Sequence, residues 1–250
     1  YAPQLYDPRC SVIQALNAEG RPLATLVNYA IHPEVLGSRA GVCSPDLIGP
    51  LYDRIAERGG GIGIFMNGAQ GGMVTADNRR PEGEANTWEE CQRIGALLAD
   101  EALRIVQSAP EQASPNLSCQ ARPLALPVDS PLMRSLLQAM KDAPKLSADG
   151  TLTTQLNLVN VGNAQILTIP GEALPNIGYY LKRKMRGEHN LLFGLTNDAF
   201  GYILTREDFD SFKRYEYVSR TSLGERTGEI LVNEALKWIH DSPAPETTGN

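Results

Sequence analysis

The chain has 250 residues and a mass of 27.2 kDa, with 42% hydrophobic and 21% charged residues and a formal net charge of −6. This balance fits a globular domain of ordinary size and excludes disordered, collagen-like and fibrous classes. An acidic chain without a long Lys/Arg run lacks the basic patch that neutralises nucleic-acid phosphates, and no apolar run reaches the ~20 residues of a membrane span.

The sequence opens at Tyr1 with no basic, apolar leader, so its start is expected to be trimmed, processed or internal. Residues 11–16 and 23–29 are apolar stretches about the turn Ala18-Glu19-Gly20 and predict a hairpin. The second strand runs into Ile31-His32-Pro33, where proline stops the pairing and leaves His32 at a strand end. Ser44-Pro45-Asp46 has the form of a helix start, Leu47, Leu51 and Ile55 give a helical stripe, and Gly59-Gly60-Gly61 ends it. A buried-type strand over 62–66 leads into the Gly-rich loop 67–72. Thr87-x-x-Glu90 is a capping box that opens a helix to about Gln107. Beyond a polar loop, a strand is predicted at 119–126 and a helix at 131–143. A second hairpin follows at 156–161 and 165–169 about Gly162-Asn163. Residues 174–186 read as helix, 191–196 as strand and 202–205 as a short extended piece. Ser222-x-x-Glu225 is a second capping box, opening a last helix to about His240. Alternating strands and helices with two hairpins predict an α/β fold, a mixed sheet packed by helices in a single domain over residues 1–241, with a frayed tail at 242–250.

Motifs narrow the chemistry. Gly59-Gly60-Gly61-Ile62-Gly63 ends a helix and precedes a strand, the reverse of a dinucleotide fingerprint, and no P-loop, G-x-S-x-G elbow or H-E-x-x-H pattern occurs. Cys10, Cys43, Cys91 and Cys119 form no C-x-x-C pair and read as buried free thiols more readily than as two disulfides. His32, His189 and His240 are the only histidines, which bounds any histidine-built site on this chain. His32 at a strand end is a structural histidine or a rigidly held metal ligand. Glu172, in Ile169-Pro170-Gly171-Glu172, either favours the following helix N-terminus or acts as a metal ligand or general base. Tyr202 and Tyr215 are amphipathic packing residues or site residues beyond an apolar strand. The loop 67–72 is a plain tight turn or a place where backbone approaches a ligand closely.

Taken in order, these segments resemble the catalytic domain of the neutral/alkaline (non-lysosomal) ceramidase family. Ile31-His32-Pro33 matches a family histidine-proline at a strand end, and 67–75 partly matches a strand and loop of the form N-x-G-D-V-S-P. Pro170-Gly171-Glu172 matches a P-G-E segment. A block like N-x-Y-x-x-Y-x-T-T-x-E-E-Y, ending in Y-E and T-x-x-G, is similar to residues 197–205, Glu207-Asp208-Phe209, Tyr215-Glu216, and Thr221 with Gly224. The resemblance spans most of the chain and implies the C-terminal part of a zinc-dependent amide hydrolase domain. It implies Zn2+ ligation by His32, Glu172 and Tyr202, with Tyr215 stabilising the oxyanion. Nitrogen and oxygen ligands suit zinc, which lowers the pKa of a bound water enough to attack a carbonyl at neutral pH.

Two departures from the family pattern matter. The family's other zinc histidine lies in an upstream H-x-H, and no histidine precedes His32. An N-terminal segment of the same precursor is therefore the expected partner that supplies it. The family's Gly-Asp-Val-Ser aligns with Gly71-Gly72-Met73-Val74, so Val74 stands at the serine nucleophile's place and Gly72 at the aspartate's. The expectation is hydrolysis of a small or lipid-like amide, or a related acyl bond, by metal-activated water. The alternative is a catalytically inactive ceramidase-like binding or structural module. The resemblance also favours a secreted or periplasmic location.

Overall fold

The computed structural model describes residues 5–72, 74–140, 146–211, 213 and 216–246. They divide into two compact units, one from 8–67 and 74–111, the other from 5–7, 68–72 and 112–246. Both are α/β, with mixed sheets and antiparallel hairpins packed by helices as expected. There are two main sheets rather than one.

In the first unit, β1 (Ser11–Leu16) and β2 (Pro22–Tyr29) form the expected hairpin, with Ser11 opposite Asn28 and Val12 opposite Val27. The turn is set by Asn17, whose side-chain oxygen accepts from the amides of Glu19 and Arg21. α1 (Ile48–Glu57) carries the chain across to β3 (Ile62–Asn67), which lies parallel to β2 at the sheet edge. Such parallel pairing requires a crossover of this kind. At that edge the outward amide of Phe65 donates to the Tyr52 hydroxyl at 3.1 Å. Val27 and Phe65 pack with Leu51 and Ile55 of α1 and Leu98, Ala99 and Ala102 of α2 (Trp88–Gln107). The helix stripes and strand alternation visible in the sequence thus meet in one core. Thr87 caps α2 as the capping box predicts, accepting from the Glu90 amide. The start of α1 differs from expectation. Ser44 accepts from the Asp46 amide, but Asp46 has φ 51°, and the helix begins only at Ile48 with no side-chain cap. A small hairpin, β4 (Arg79–Arg80) with β5 (Gly83–Glu84), was not expected.

In the second unit, β6 (Leu117–Pro127), β7 (Thr151–Val161), β8 (Ala164–Thr168) and β10 (His189–Phe193) form a sheet in the order β10-β8-β7-β6. The β7–β8 hairpin about Gly162 is as predicted, and β10 returns parallel to β8 after α4 (Pro175–Lys184). A separate two-residue parallel pair joins β9 (Glu172–Ala173) to β11 (Tyr202–Ile203). α3 (Pro131–Ala139) is capped by Ser130 and ends short of residue 143; residues 141–145 lie outside the described residues. α5 (Glu216–Arg220) and α6 (Thr227–Asp241) follow. Trp238 of α6 is buried with Leu124, Leu126, Leu152, Leu167, Leu181 and Leu192. The second capping box does not cap: α6 starts after Arg226, and the Ser222 hydroxyl is buried without a hydrogen-bond partner. Ser222 is held instead in a bridge to Tyr202. Residues 5–7 join this unit through a buried ion pair, Lys182 Nζ to Asp7 Oδ2 at 3.0 Å, and through the Tyr179 hydroxyl, which donates to the Tyr6 carbonyl. In the tail, the Glu246 amide donates to the Gly162 carbonyl and its carboxylate accepts from Asn116; residues 247–250 lie outside the described residues. None of the four cysteines is paired, and among the described residues no helix is long and apolar enough to cross a membrane.

Candidate active site

His32 follows β2 in the first unit. Its backbone amide and its ring Nδ1 both reach the Val74 carbonyl, at 2.9 and 2.8 Å, and His32 bridges to Thr75. A carbonyl only accepts, so Nδ1 carries the proton and the lone pair sits on Nε2. This is the tautomer of a histidine metal ligand whose other ring nitrogen is committed to the backbone. Behind His32 the chain reverses, the Glu34 amide donating to the His32 carbonyl at 3.0 Å. The buried carboxylate of Asp46 then accepts from the amides of Val35, Leu36 and Leu47 at 2.8–3.0 Å, and Asn86 donates to the Val35 carbonyl. The turn that carries His32 is therefore pinned from behind. Asp46 also faces Cys91, whose thiol is pushed up to about 11 by burial first and by the nearby carboxylate second. From the sequence, Asp46 is expected only as part of a helix start. Its tolerance of left-handed backbone was the one available signal for another role.

Glu172 and Tyr202 lie in the second unit. The structure brings them together as direct register partners across β9 and β11. The Pro170-Gly171-Glu172 turn is held by backbone bonds from one returning segment. Thr196 N donates to Ile169 O, Leu195 N to Gly171 O, Phe200 N to Pro170 O, and Glu172 N to Gly201 O. Gly201 has φ 77°, and a Cβ there would stand 1.9 Å from the Thr221 carbonyl oxygen, so only glycine fits. The Gly-rich loop comes to the same place: Gly71 N donates to Ala173 O, and a Cβ on Gly71 would stand 2.3 Å from the Glu172 carbonyl oxygen. The loop thus makes a close backbone approach, to the Glu172 strand. Tyr202 is buried, its amide donates to Thr221 O, and its ring meets the exposed Tyr217 ring edge to face at 5.9 Å.

The segment leading to Tyr202 is strained. Leu195 has φ 50° and Asn197 φ 74°. Asn197 is compensated, its side-chain amide donating to Gln155 O, Asn157 Oδ1 and Thr168 Oγ1. Left-handed backbone costs a residue such as leucine about 1–2 kcal/mol. In the Gly-rich loop, Gln70 is wholly buried with both amide atoms unpaired. Tyr215, expected as the oxyanion tyrosine, lies outside the described residues, as does Met73. Among the described residues, no group of three or more His, Cys, Asp or Glu side chains is placed to hold a metal ion. The nitrogen and oxygen donors of His32, Glu172 and Tyr202 nonetheless fit zinc in kind.

No protein-family profile matches the chain, and no curated protein matches it in sequence. Solved structures do. A ceramidase described as complexed with C2 superposes with a TM-score of 0.76 at 15% identity, over 100% of this chain and 50% of that one. Neutral ceramidase from Pseudomonas aeruginosa superposes with a TM-score of 0.73 at 15% identity, over 99% and 49%. The chain has the fold of these ceramidases throughout and spans about half their length.

Proposed function

We propose that this chain is the C-terminal part of a ceramidase-like catalytic domain that hydrolyses an amide or related acyl bond. His32, Glu172 and Tyr202 would hold Zn2+, and a further histidine would come from an N-terminal segment of the same precursor. The observation that carries the reading is the His32 ring, whose Nδ1 is bonded to the Val74 carbonyl, the backbone tether typical of a metal-ligating histidine. When bound, zinc supplies polarisation of the acyl carbonyl and activation of water at neutral pH. The chain's own residues do the rest. Glu172 and Tyr202 present oxygen donors from adjacent strands on a backbone fixed by the 195–201 segment. Tyr215 would offer its hydroxyl to the developing oxyanion. Val74 has no hydroxyl at the family's serine position, so attack by water is favoured over an acyl-enzyme.

The test measures zinc content and hydrolysis of N-acyl substrates with the upstream segment supplied. The expected result is about one zinc per chain, with His32→Ala weakening zinc binding at least tenfold. A zinc-free protein whose activity is untouched by His32→Ala would sink the proposal. The second reading, an inactive binding or structural module, is favoured by Val74, Gly72 and the missing upstream histidine. A screen of acyl amides and esters with added zinc separates the two, since the module hydrolyses none.

A further inference from the structure

We infer that the cavity between α4 and α6 is a binding site for a short aliphatic diamine. The inference goes beyond the hydrolytic reading and does not depend on it.

The cavity has a volume of about 400 Å³, inside the range of roughly 300–1,000 Å³ typical of small-molecule sites. It is lined by Ile177 and Tyr180 of α4, by Glu229, Val232 and Asn233 of α6, and by Glu207, all in the same compact unit. Close packing fixes its wall. A Cβ on Gly228 would overlap the Leu204 carbonyl oxygen and stand 3.2 Å from Cδ1 of Ile177, so the first turn of α6 sits hard against its neighbours. Charge then selects the ligand. The acids flanking the cavity are satisfied: Glu225 pairs with Arg206 at 3.0 Å, Glu234 with Lys237 at 2.6 Å, and Asp208 accepts from Asn176 and Thr205 at 2.7 Å. Glu207 and Glu229, the two acids that line it, have no ion-pair or hydrogen-bond partner among the described residues. Glu229 also favours the α6 N-terminus, but Glu207 lies outside any helix and has no such task. The Tyr180 ring gives an independent sign. It already carries an ammonium, Lys184 Nζ, 5.7 Å from its centroid, so this wall accepts that chemistry. Asn233 offers a side-chain oxygen to an N–H donor, and Ile177 and Val232 offer apolar surface to methylenes. A metal ion fits less well, because among the described residues no three His, Cys, Asp or Glu side chains are placed to hold one. A diamine brings one ammonium for each carboxylate and an alkyl body for the wall between the helices.

The test titrates the full chain, labelled with 15N, with putrescine and, separately, with butylamine and butanediol. Exposed ion pairs are individually weak, so putrescine should bind with a Kd of about 1 mM and give saturable shifts at the amides of Gly228, Glu229 and Val232. Butylamine, with one ammonium, should bind about fivefold more weakly, and butanediol should give no shift there. Glu207→Gln and Glu229→Gln change exposed side chains and should leave the thermal midpoint in place. Each should weaken putrescine about threefold, and the double variant about tenfold. Tyr180→Leu should weaken it about threefold while keeping an apolar wall. Silence of these amides up to about 20 mM putrescine overturns the inference. So does butanediol binding as tightly as putrescine, which would make the cavity merely apolar. Equal shifts at Glu225 and Glu234, or a putrescine affinity untouched in the double variant, overturn it too, because the diamine would then be a diffuse counterion.

Discussion

Asp46 shows how one side chain can fix a site that it does not enter. Its carboxylate is buried and bonded to three backbone amides rather than to a cation, and it anchors the turn behind His32. Removing it strands three donors in an apolar pocket beside Leu36, Leu47 and Cys91. Asp46→Ala is expected to cost about 2–4 kcal/mol of stability, read as a lower urea midpoint. An unchanged midpoint would mean that water replaces the carboxylate. Little of this arrangement was legible in the sequence. Ser44-Pro45-Asp46 has the composition of a helix start, and only the left-handed φ at Asp46 shows that the chain is turning away from a helix there.

At the scale of elements, β3 lies at a sheet edge, and edges invite pairing with other chains. Tyr52, from α1, occupies the outward amide of Phe65. Tyr52→Phe should free that amide while keeping the ring, so amide exchange at Phe65 should accelerate and the tendency to self-associate should rise on light scattering. Exchange at the wild-type rate would show that the hydroxyl does not guard the edge. The elements that announced themselves were those with a long period. The β1–β2 hairpin and the Thr87 cap of α2 were read correctly because alternation and capping chemistry are local. The first five residues of β7 were missed because Thr151, Thr153, Thr154 and Gln155 are polar, although Leu152 and Thr154 point inward in strict alternation. The β9–β11 pair was out of reach altogether. Two residues carry no period, and their partnership depends on backbone bonds across about thirty positions of sequence. Hence Glu172 and Tyr202 were each named from motifs, while their adjacency came only from the fold.

At the scale of the whole molecule, each compact unit has its own core, one around Val27, Leu51 and Ile55 and the other around Leu167, Leu181 and Trp238. Separate cores favour separate cooperative openings. Native-state hydrogen exchange in increasing denaturant should sort core amides into two classes, Val27 and Leu51 in one, Leu167 and Trp238 in the other. A single merged class would mean that the chain opens as one body. Likeness of fold over the entire chain at 15% identity also shows what has been kept. The fold persists where most aligned side chains differ, which is why fold class was readable early and chemistry must be argued residue by residue.

The buried pair of Asp7 and Lys182 bears on the chemical longevity of the chain. Asp7 is followed by Pro8, and an Asp–Pro linkage is the peptide bond most prone to acid scission, because the aspartyl carboxyl attacks its own carbonyl. Here that carboxyl is buried and paired with the Lys182 ammonium, so the folded chain shelters this bond. Scission there would part residues 5–7, which belong to one unit, from Pro8 onward, which belongs to the other. The ion pair that fastens residues 5–7 to their unit thereby also guards one of the bonds at which the chain passes into the other.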